Sequence, residues 1–389
     1  MNQPKIYLSS PHMGGTEQDF VNEAFSTNWI APLGPNVSGF EEDIKSYLQK
    51  NSLTQKSSSQ VEVAALSSGT AALHLGLILL GVKSGDEVIC QSMTFSASAN
   101  PIVYLGAKPV FVDSETETWN MCSHFLEEAI KDRIAKGKKP KAIISVHLYG
   151  MPFQVDKILS VAEKYGIPIL EDSAEALGST YKGRKCGTFG ELSVLSFNGN
   201  KIITTSGGGA LVTKNRELKD RAIYLATQAR DDAPHYQHSE IGYNYRLSNV
   251  SAGIGRGQMQ VLDTHVALRR KNNEFYGQLF ENKSGMRIFQ EPNEEYVSNH
   301  WLSCILLDKP KTGGIGNTEI RLALEKENIE CRPLWKPMHL QPVFSKAPYY
   351  GESIAEELFN TGLCLPSASN LTKTDLERIE KAIRNIMDK

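Results

Sequence analysis

A chain of 389 residues with 40% hydrophobic and 22% charged side chains can bury one large core and a smaller second one and still stay in solution. Its formal net charge is −2 and no basic run stands out, which excludes the electrostatic footprint of a nucleic-acid binder. The N-terminal stretch lacks an apolar core of signal-peptide length, the best apolar run (71–82) holds His74 and Gly76 and is too short for a bilayer, and the six cysteines make no CxxC pair, so the expectation is a cytoplasmic protein with reduced, buried thiols and neither membrane nor metal partners.

The polar stretch 49–60, with Ser57-Ser58-Ser59, reads as a surface loop. Apolar, often β-branched runs then alternate with helical patterns. Residues 61–66 read as a strand, 71–80 as a helix, 87–91 as a strand, 97–105 as a helix and 109–112 as a strand. The series continues with a strand at 142–147, a helix at 155–165, and strands at 168–170, 192–197 and 210–213. Short strands apolar on both faces and separated by helices imply a largely parallel sheet in an α/β fold. Ligands in such sheets bind where loops leave the carboxyl ends of the strands. Residues 258–278 read as a heavily charged helix, followed by shorter elements at 301–307, a helix at 318–326 and a closing helix at 373–387. The chain therefore divides near residue 265 into a large domain, 1–265, and a smaller C-terminal α+β domain, 266–389.

Three polar clusters stand at strand ends. In Leu66-Ser67-Ser68-Gly69-Thr70-Ala71 a strand ends and a helix begins, and the first-turn N–H groups with the Ser68 and Thr70 hydroxyls would cradle a phosphate. The same residues also read as an ordinary helix cap. In Leu170-Glu171-Asp172-Ser173-Ala174-Glu175, carboxylates stand where an apolar strand runs out, and one of them could pair with the protonated ring nitrogen of pyridoxal phosphate. The competing reading is a capping arrangement made by Asp172 and Glu175. In Ser196-Phe197-Asn198-Gly199-Asn200-Lys201, a loop lysine precedes the glycine run Gly207-Gly208-Gly209. A desolvated lysine beside a cationic cofactor can lose its proton and attach it, whereas a lone loop lysine is ordinarily a solvated one. A phosphate cradle, a strand-end aspartate and a loop lysine together are the parts of a pyridoxal phosphate site.

With these segments in hand, the chain resembles the DegT/DnrJ/EryC1/StrS family of sugar aminotransferases, which have the aspartate aminotransferase (type I) fold. Asn28 to Gly34, Gly242-Tyr243-Asn244-Tyr245-Arg246 and Arg332-Pro333-Leu334-Trp335 extend the likeness through nearly the whole chain. Within the family, Ser9 to Gly15 and Asn198 to Gly209 are similar to the branch that makes UDP-N-acetylbacillosamine. The resemblance implies that Lys201 holds the cofactor and then shuttles protons, and that Asp172 bonds the ring nitrogen. It implies that Ser68, Gly69, Thr70, Ser196 and Asn198 hold the phosphate, that Phe95 stacks on the ring and that Glu175 approaches the ring hydroxyl. Asn244 would reach the phosphate from the partner subunit of a homodimer with shared sites. Asn28, Trp29, Ile30 and Ala31, with Arg332, Pro333, Leu334 and Trp335, would line the nucleotide-sugar pocket. The implied substrates are a UDP-linked 4-keto-6-deoxy sugar with a 2-acetamido group and L-glutamate. Many members carry His at the position of Asn198, and His or Gln at that of Glu175. Relatives that dehydrate the sugar replace the lysine by histidine, which Lys201 argues against.

Two motifs are set aside. Gly253-Ile254-Gly255-Arg256-Gly257 lacks the spacing of a dinucleotide loop and follows no strand, so it reads as helix packing. His235 and His238 have ligand-like spacing but no partnering carboxylate or cysteine, and read as a loop near the substrate mouth.

Overall fold

The computed structural model describes residues 3–50 and 60–387, so the expected serine-rich surface loop lies outside the described residues apart from its edges. Its centre is an eight-stranded sheet in the order Glu62–Leu66, Gly209–Thr213, Leu192–Ser196, Ile169–Asp172, Ala142–Val146, Glu87–Gln91, Lys108–Val112 and Tyr349–Tyr350. Every pairing is parallel except the two made by Gly209–Thr213, so the sheet is mixed but mostly parallel, as the alternation of apolar runs and helices implied.

Successive side chains of these strands enter different cores. Ile89, Val110, Ile143 and Ile169 join one apolar cluster, while their neighbours Val88, Cys90, Phe111, Ile144 and Leu170 join another on the opposite face. That is why the runs are apolar throughout instead of alternating. The carboxyl ends of the parallel strands then deliver Ser92, Asp113, His147, Asp172 and Ser196 to one edge.

The helix expected at 258–278 is longer, Asn249–Phe280, and is capped by Ser248, whose hydroxyl accepts the Ser251 N–H. It begins earlier because Gly253, Gly255 and Gly257, poor helix formers alone, sit against other elements. A Cβ at Gly255 would lie 2.7 Å from the Phe40 ring, and one at Gly257 would lie 2.7 Å from the Glu17 backbone nitrogen. These glycines are a packing stripe for the helices Glu17–Ser26 and Pro35–Gln49. The same helix runs unbroken through residue 265, so a partition there falls in mid-helix.

After it, an antiparallel sheet in the order Met286–Ile288, Ser303–Leu307, Gly362–Leu365, Arg332–Pro333 packs with the helices Asn317–Lys326 and Lys373–Met387 around Ile305, Leu324, Leu363 and Ile379. The N-terminal segment is strapped onto this lobe. Ile6 bridges Ile329, the Ser367 N–H donates to the Leu8 carbonyl at 2.8 Å, and the Ser10 hydroxyl donates to Asn370 at 2.9 Å. All six cysteines are unpaired, five buried and Cys122 half-buried. Among the described residues no helix is long and apolar enough to cross a membrane, and no cluster of side chains could hold a metal ion.

Candidate active site

The sheet edge opens into a cavity of about 670 Å³ lined by Ser68, Gly69, Thr70, Phe95, Asp172, Glu175, Ser196, Asn198, Lys201, Arg332 and Trp335. The helix Gly69–Leu79 starts at its wall. Ser68 does cap it, accepting the Ala71 N–H at 3.0 Å, yet the remaining first-turn N–H groups have no carbonyl inside the helix and carry its positive dipole end. Glycine is required on one side of this start, and there is little room for a side chain on the other. A Cβ on Gly209 would sit 2.4 Å from the Gly69 nitrogen, and one on Gly69 would sit 3.1 Å from the Ser196 Cβ.

Adjacent positions in a strand point to opposite faces, and this separates the two strand-end carboxylates. Glu171 turns away from the cavity and is wholly buried. It accepts from His147 Nε2 (2.8 Å), the Ser173 and Ser193 hydroxyls (3.0 and 2.7 Å) and the backbone N–H groups of Gly187, Phe189 and Gly190 (2.5, 2.7 and 3.0 Å). Burial raises its carboxyl, but the His147 bond and the backbone donors Gly190 and Gly187 outweigh that and hold it at about 2.

Asp172 faces the cavity. Its Oδ2 accepts from the Ser98 hydroxyl at 2.7 Å, and its Oδ1 accepts from the Ala174 N–H at 3.2 Å. Because the Ser98 proton is spent on Asp172, Thr94, 2.7 Å from the Ser98 oxygen, is the donor to it. Burial pushes the Asp172 carboxyl above the usual carboxylate range, against the bonds from Ser98 and Ala174. No cation contacts this carboxylate among the described residues.

Lys201 follows the strand Leu192–Ser196 in a turn closed by its own N–H on the Asn198 carbonyl (2.9 Å). Its Nζ lies 3.1 Å from Glu175 Oε1 and 4.0 Å from the centre of the Trp301 ring. The other Glu175 oxygen accepts the Tyr149 N–H at 2.8 Å, so Glu175 is not part of a capping arrangement with Asp172. Tyr149 holds that N–H in place from a left-handed backbone conformation (φ 54°), an uncommon one for a non-glycine residue. The Lys201 amine favours an ionised Glu175 and burial a neutral one; burial prevails and lifts the carboxyl to about 7. Phe95 and Trp335, with ring centres 5.6 Å apart, form an aromatic wall at the mouth, and the Trp335 N–H donates to the Tyr149 hydroxyl at 2.9 Å.

Other expected residues stand elsewhere. Asn28, Trp29, Ile30, Ala31 and Asn244 do not line the cavity of this chain. Trp29 and Ile30 are exposed, and Asn244 is exposed in a bridge to Thr227. Pro333 and Leu334 do not line it either: Leu334 is a core residue, and Pro333 pairs with Leu363 in the small sheet. Arg332 reaches the cavity while paired to Glu330 at 2.9 Å. His235 and His238 are exposed, bond Gln237 and the Gln228 carbonyl, and do not line the cavity of this chain. Sequence reasoning missed Ser98, Thr94, Tyr149 and Trp301. An S/T pair four residues apart after Met93 was the only visible trace of the first two.

Residues 11–384 match the DegT/DnrJ/EryC1/StrS aminotransferase family. The chain belongs to that family. EpsN of Bacillus subtilis (strain 168), to which a pyridoxal phosphate-dependent aminotransferase activity is ascribed, is 48% identical over 386 residues, 98% of this chain and 96% of its own. GDP-perosamine synthase of Escherichia coli O157:H7 is 36% identical over 378 residues, 97% of each chain. The crystal structure of a DegT DnrJ EryC1 StrS aminotransferase from Brucella abortus matches with a TM-score of 0.86 at 27% identity over 96% of each chain. The protein is thus a pyridoxal phosphate-dependent nucleotide-sugar aminotransferase of the type I fold. Its site suits that cofactor: a helix start for a phosphate, a buried carboxylate with no cation for a protonated ring nitrogen, and an amine beside them. When bound, the cofactor supplies an electron sink for the charge left when a carbon gives up its proton.

Proposed function

We propose that this DegT/DnrJ/EryC1/StrS enzyme moves an amino group from L-glutamate to the keto carbon of a UDP-linked 4-keto-6-deoxy sugar carrying a 2-acetamido group, as a homodimer with shared sites. Lys201 holds the cofactor and, once released, is the base, since it stays beside the carbon that loses its proton. Asp172 keeps the ring nitrogen protonated, and its Thr94–Ser98 relay fixes the carboxylate that does so. Gly69, Thr70, Ser196 and Asn198 take the phosphate, with Asn244 of the partner subunit. Phe95 covers the ring, and Glu175, able to carry a proton near neutral pH, meets the ring hydroxyl. Arg332 offers a fork of donors to the diphosphate, and Trp335 a flat face to sugar or base. Asn28, Trp29 and Ile30, exposed beside half-buried Ala31 and exposed Leu33, would with Ala31 serve the pocket from across the dimer.

One observation carries the assignment: Lys201, Asp172 and the start of the helix Gly69–Leu79, far apart in sequence, meet in one cavity. The UDP-acetamido substrate rests on the two signature segments, which come together there: the Ser9 hydroxyl donates to the Asn200 carbonyl at 2.6 Å. A GDP-linked keto sugar is the second reading, favoured by the GDP-perosamine synthase relatives. Measuring kcat/KM for the UDP, GDP and dTDP 4-keto sugars decides between them. A tenfold preference for GDP or dTDP, about 1.4 kcal/mol of transition-state binding, would overturn the UDP assignment and leave the aminotransferase intact.

A further inference from the structure

We propose that Trp301, Ser9 and Arg269 form a clamp that sets the position of the Lys201 amine, an inference that rests on Lys201 being the residue that holds the cofactor. The clamp closes on one atom. The Asn200 carbonyl oxygen, one residue before Lys201, accepts from the Ser9 hydroxyl at 2.6 Å and from the Trp301 indole N–H at 2.7 Å. Both lone pairs of that oxygen are therefore engaged. The N–H of the same peptide, that of Lys201, closes the turn onto the Asn198 carbonyl, so this peptide is held from within the turn by its N–H and from outside by its oxygen.

Trp301 touches the lysine a second way, since the Lys201 Nζ stands 4.0 Å over its ring centre. The indole face is thus a second surface, besides the N–H on the Asn200 carbonyl, that fixes where the Lys201 Nζ stands.

Behind both arms lies Arg269, on the long helix Asn249–Phe280. Its Nη1 donates to the Trp301 carbonyl at 2.6 Å and to the Ser367 carbonyl at 3.2 Å, and its Nη2 donates to the Ser9 oxygen at 3.0 Å. Because the guanidinium donates into the Ser9 oxygen, the single hydroxyl proton of Ser9 must point at Asn200. Arg269 thus fixes one arm's rotor and the other arm's backbone. It is 1% exposed, its Nε has no partner, and no carboxylate contacts it among the described residues. Burying an unpaired cation is costly, and an apolar residue of similar volume would pack at lower cost. Its place is explained by what it holds. Ser9, Arg269 and Trp301 act through Lys201 and are positioning residues.

The test uses the full chain freed of cofactor. Pyridoxal phosphate is added, samples are reduced with borohydride at intervals, and the modified lysine is identified and timed by mass spectrometry. Ser9→Ala, a mild change at a half-exposed residue, and Trp301→Phe, which keeps a ring but removes the N–H, should each slow capture at Lys201 and lower kcat about tenfold, with KM for the sugar nucleotide changed less than about threefold; an ångström-scale misplacement costs on the order of a hundredfold. Trp301→Leu, lacking both contacts, should lose more than Trp301→Phe, and Ser9→Thr, which keeps the hydroxyl, should restore most of the rate. Capture and kcat at the wild-type rate in both Ser9→Ala and Trp301→Phe would overturn the clamp. Capture in the wild type at a lysine other than Lys201 would instead overturn the assignment of Lys201, and the clamp with it.

Discussion

Glu171 and Asp172 are neighbours of the same chemical type, and the structure predicts opposite consequences for removing their charges. In Glu171→Gln one oxygen becomes an NH₂ that can no longer accept. Placed at Oε2, it would orphan the Phe189 and Gly190 N–H groups; placed at Oε1, it orphans Gly187 N–H and His147 Nε2–H. His147 cannot adapt, because its Nδ1 accepts the Phe153 N–H at 3.1 Å and so leaves the ring proton on Nε2. Two buried donors are lost either way, at about 1–3 kcal/mol each. Linkage gives a similar figure. A carboxyl held at about 2 against an ordinary 4.5 contributes stability that is fully present above 4.5 and is lost as pH falls through 2, on the order of 3 kcal/mol at 1.36 kcal/mol per unit. A loss of about 4 kcal/mol lowers Tm by about 5 °C in a chain of this length, at ~2.1 cal/mol/K per residue. In Asp172→Asn, by contrast, the amide oxygen keeps the Ala174 N–H and the NH₂ can donate to a rotated Ser98 hydroxyl, so the Tm of the cofactor-free chain should move by less than about 1 °C while turnover collapses. Calorimetry of both variants without cofactor, paired with transamination assays, reads both outcomes. An unchanged Tm in Glu171→Gln, or near-normal turnover in Asp172→Asn, would refute the division of labour between them.

Glu175, lifted to about 7 from an ordinary 4.5, makes the cofactor-free chain lose stability as pH rises through that window, and Glu175→Gln should flatten the slope of Tm against pH between 4.5 and 7. Gly209→Ala drives a methyl against the Gly69 nitrogen, so equilibrium dialysis should show pyridoxal phosphate bound at least about tenfold more weakly, about 1.4 kcal/mol; unchanged affinity would mean the cradle lies elsewhere. Mixing inactive Lys201→Ala and Asn244→Ala subunits should restore part of the activity, because a heterodimer holds one intact site; no recovery after subunit exchange, followed with differently tagged chains, counts against sharing.

The parallel sheet was legible because its strands are apolar on both faces, and the positions of Lys201 and Asp172 because their segments follow such runs. The strand expected to end at Leu170 continues to Asp172, and that difference matters: two carboxylates ended the apolar run in sequence, yet strand alternation is what sends Glu171 into the interior and Asp172 to the cavity. The early start of the helix Asn249–Phe280 was hidden by glycines whose role exists only against Phe40 and Glu17. Trp301 gave no signal, since an aromatic at the head of an apolar run reads as core. Its function depends on a carbonyl and an amine from a hundred residues earlier. Leu334 shows the converse, a member of a signature segment that turns into the core beside Gly362 while Arg332 and Trp335 turn to the cavity.

The N-terminal strap sets an order of events during synthesis. Residues 7–11 line the cavity, but the strap they belong to is held at Ile6, Leu8 and Ser10 by Ile329, Ser367 and Asn370, which leave the ribosome some 320 to 360 residues later. At about 5–20 residues per second the strap waits roughly 15–70 s for its docking partners. The wall of the cavity therefore closes only after the segment 329–370 has left the ribosome, and loading of the cofactor into a complete site follows that emergence and cannot precede it.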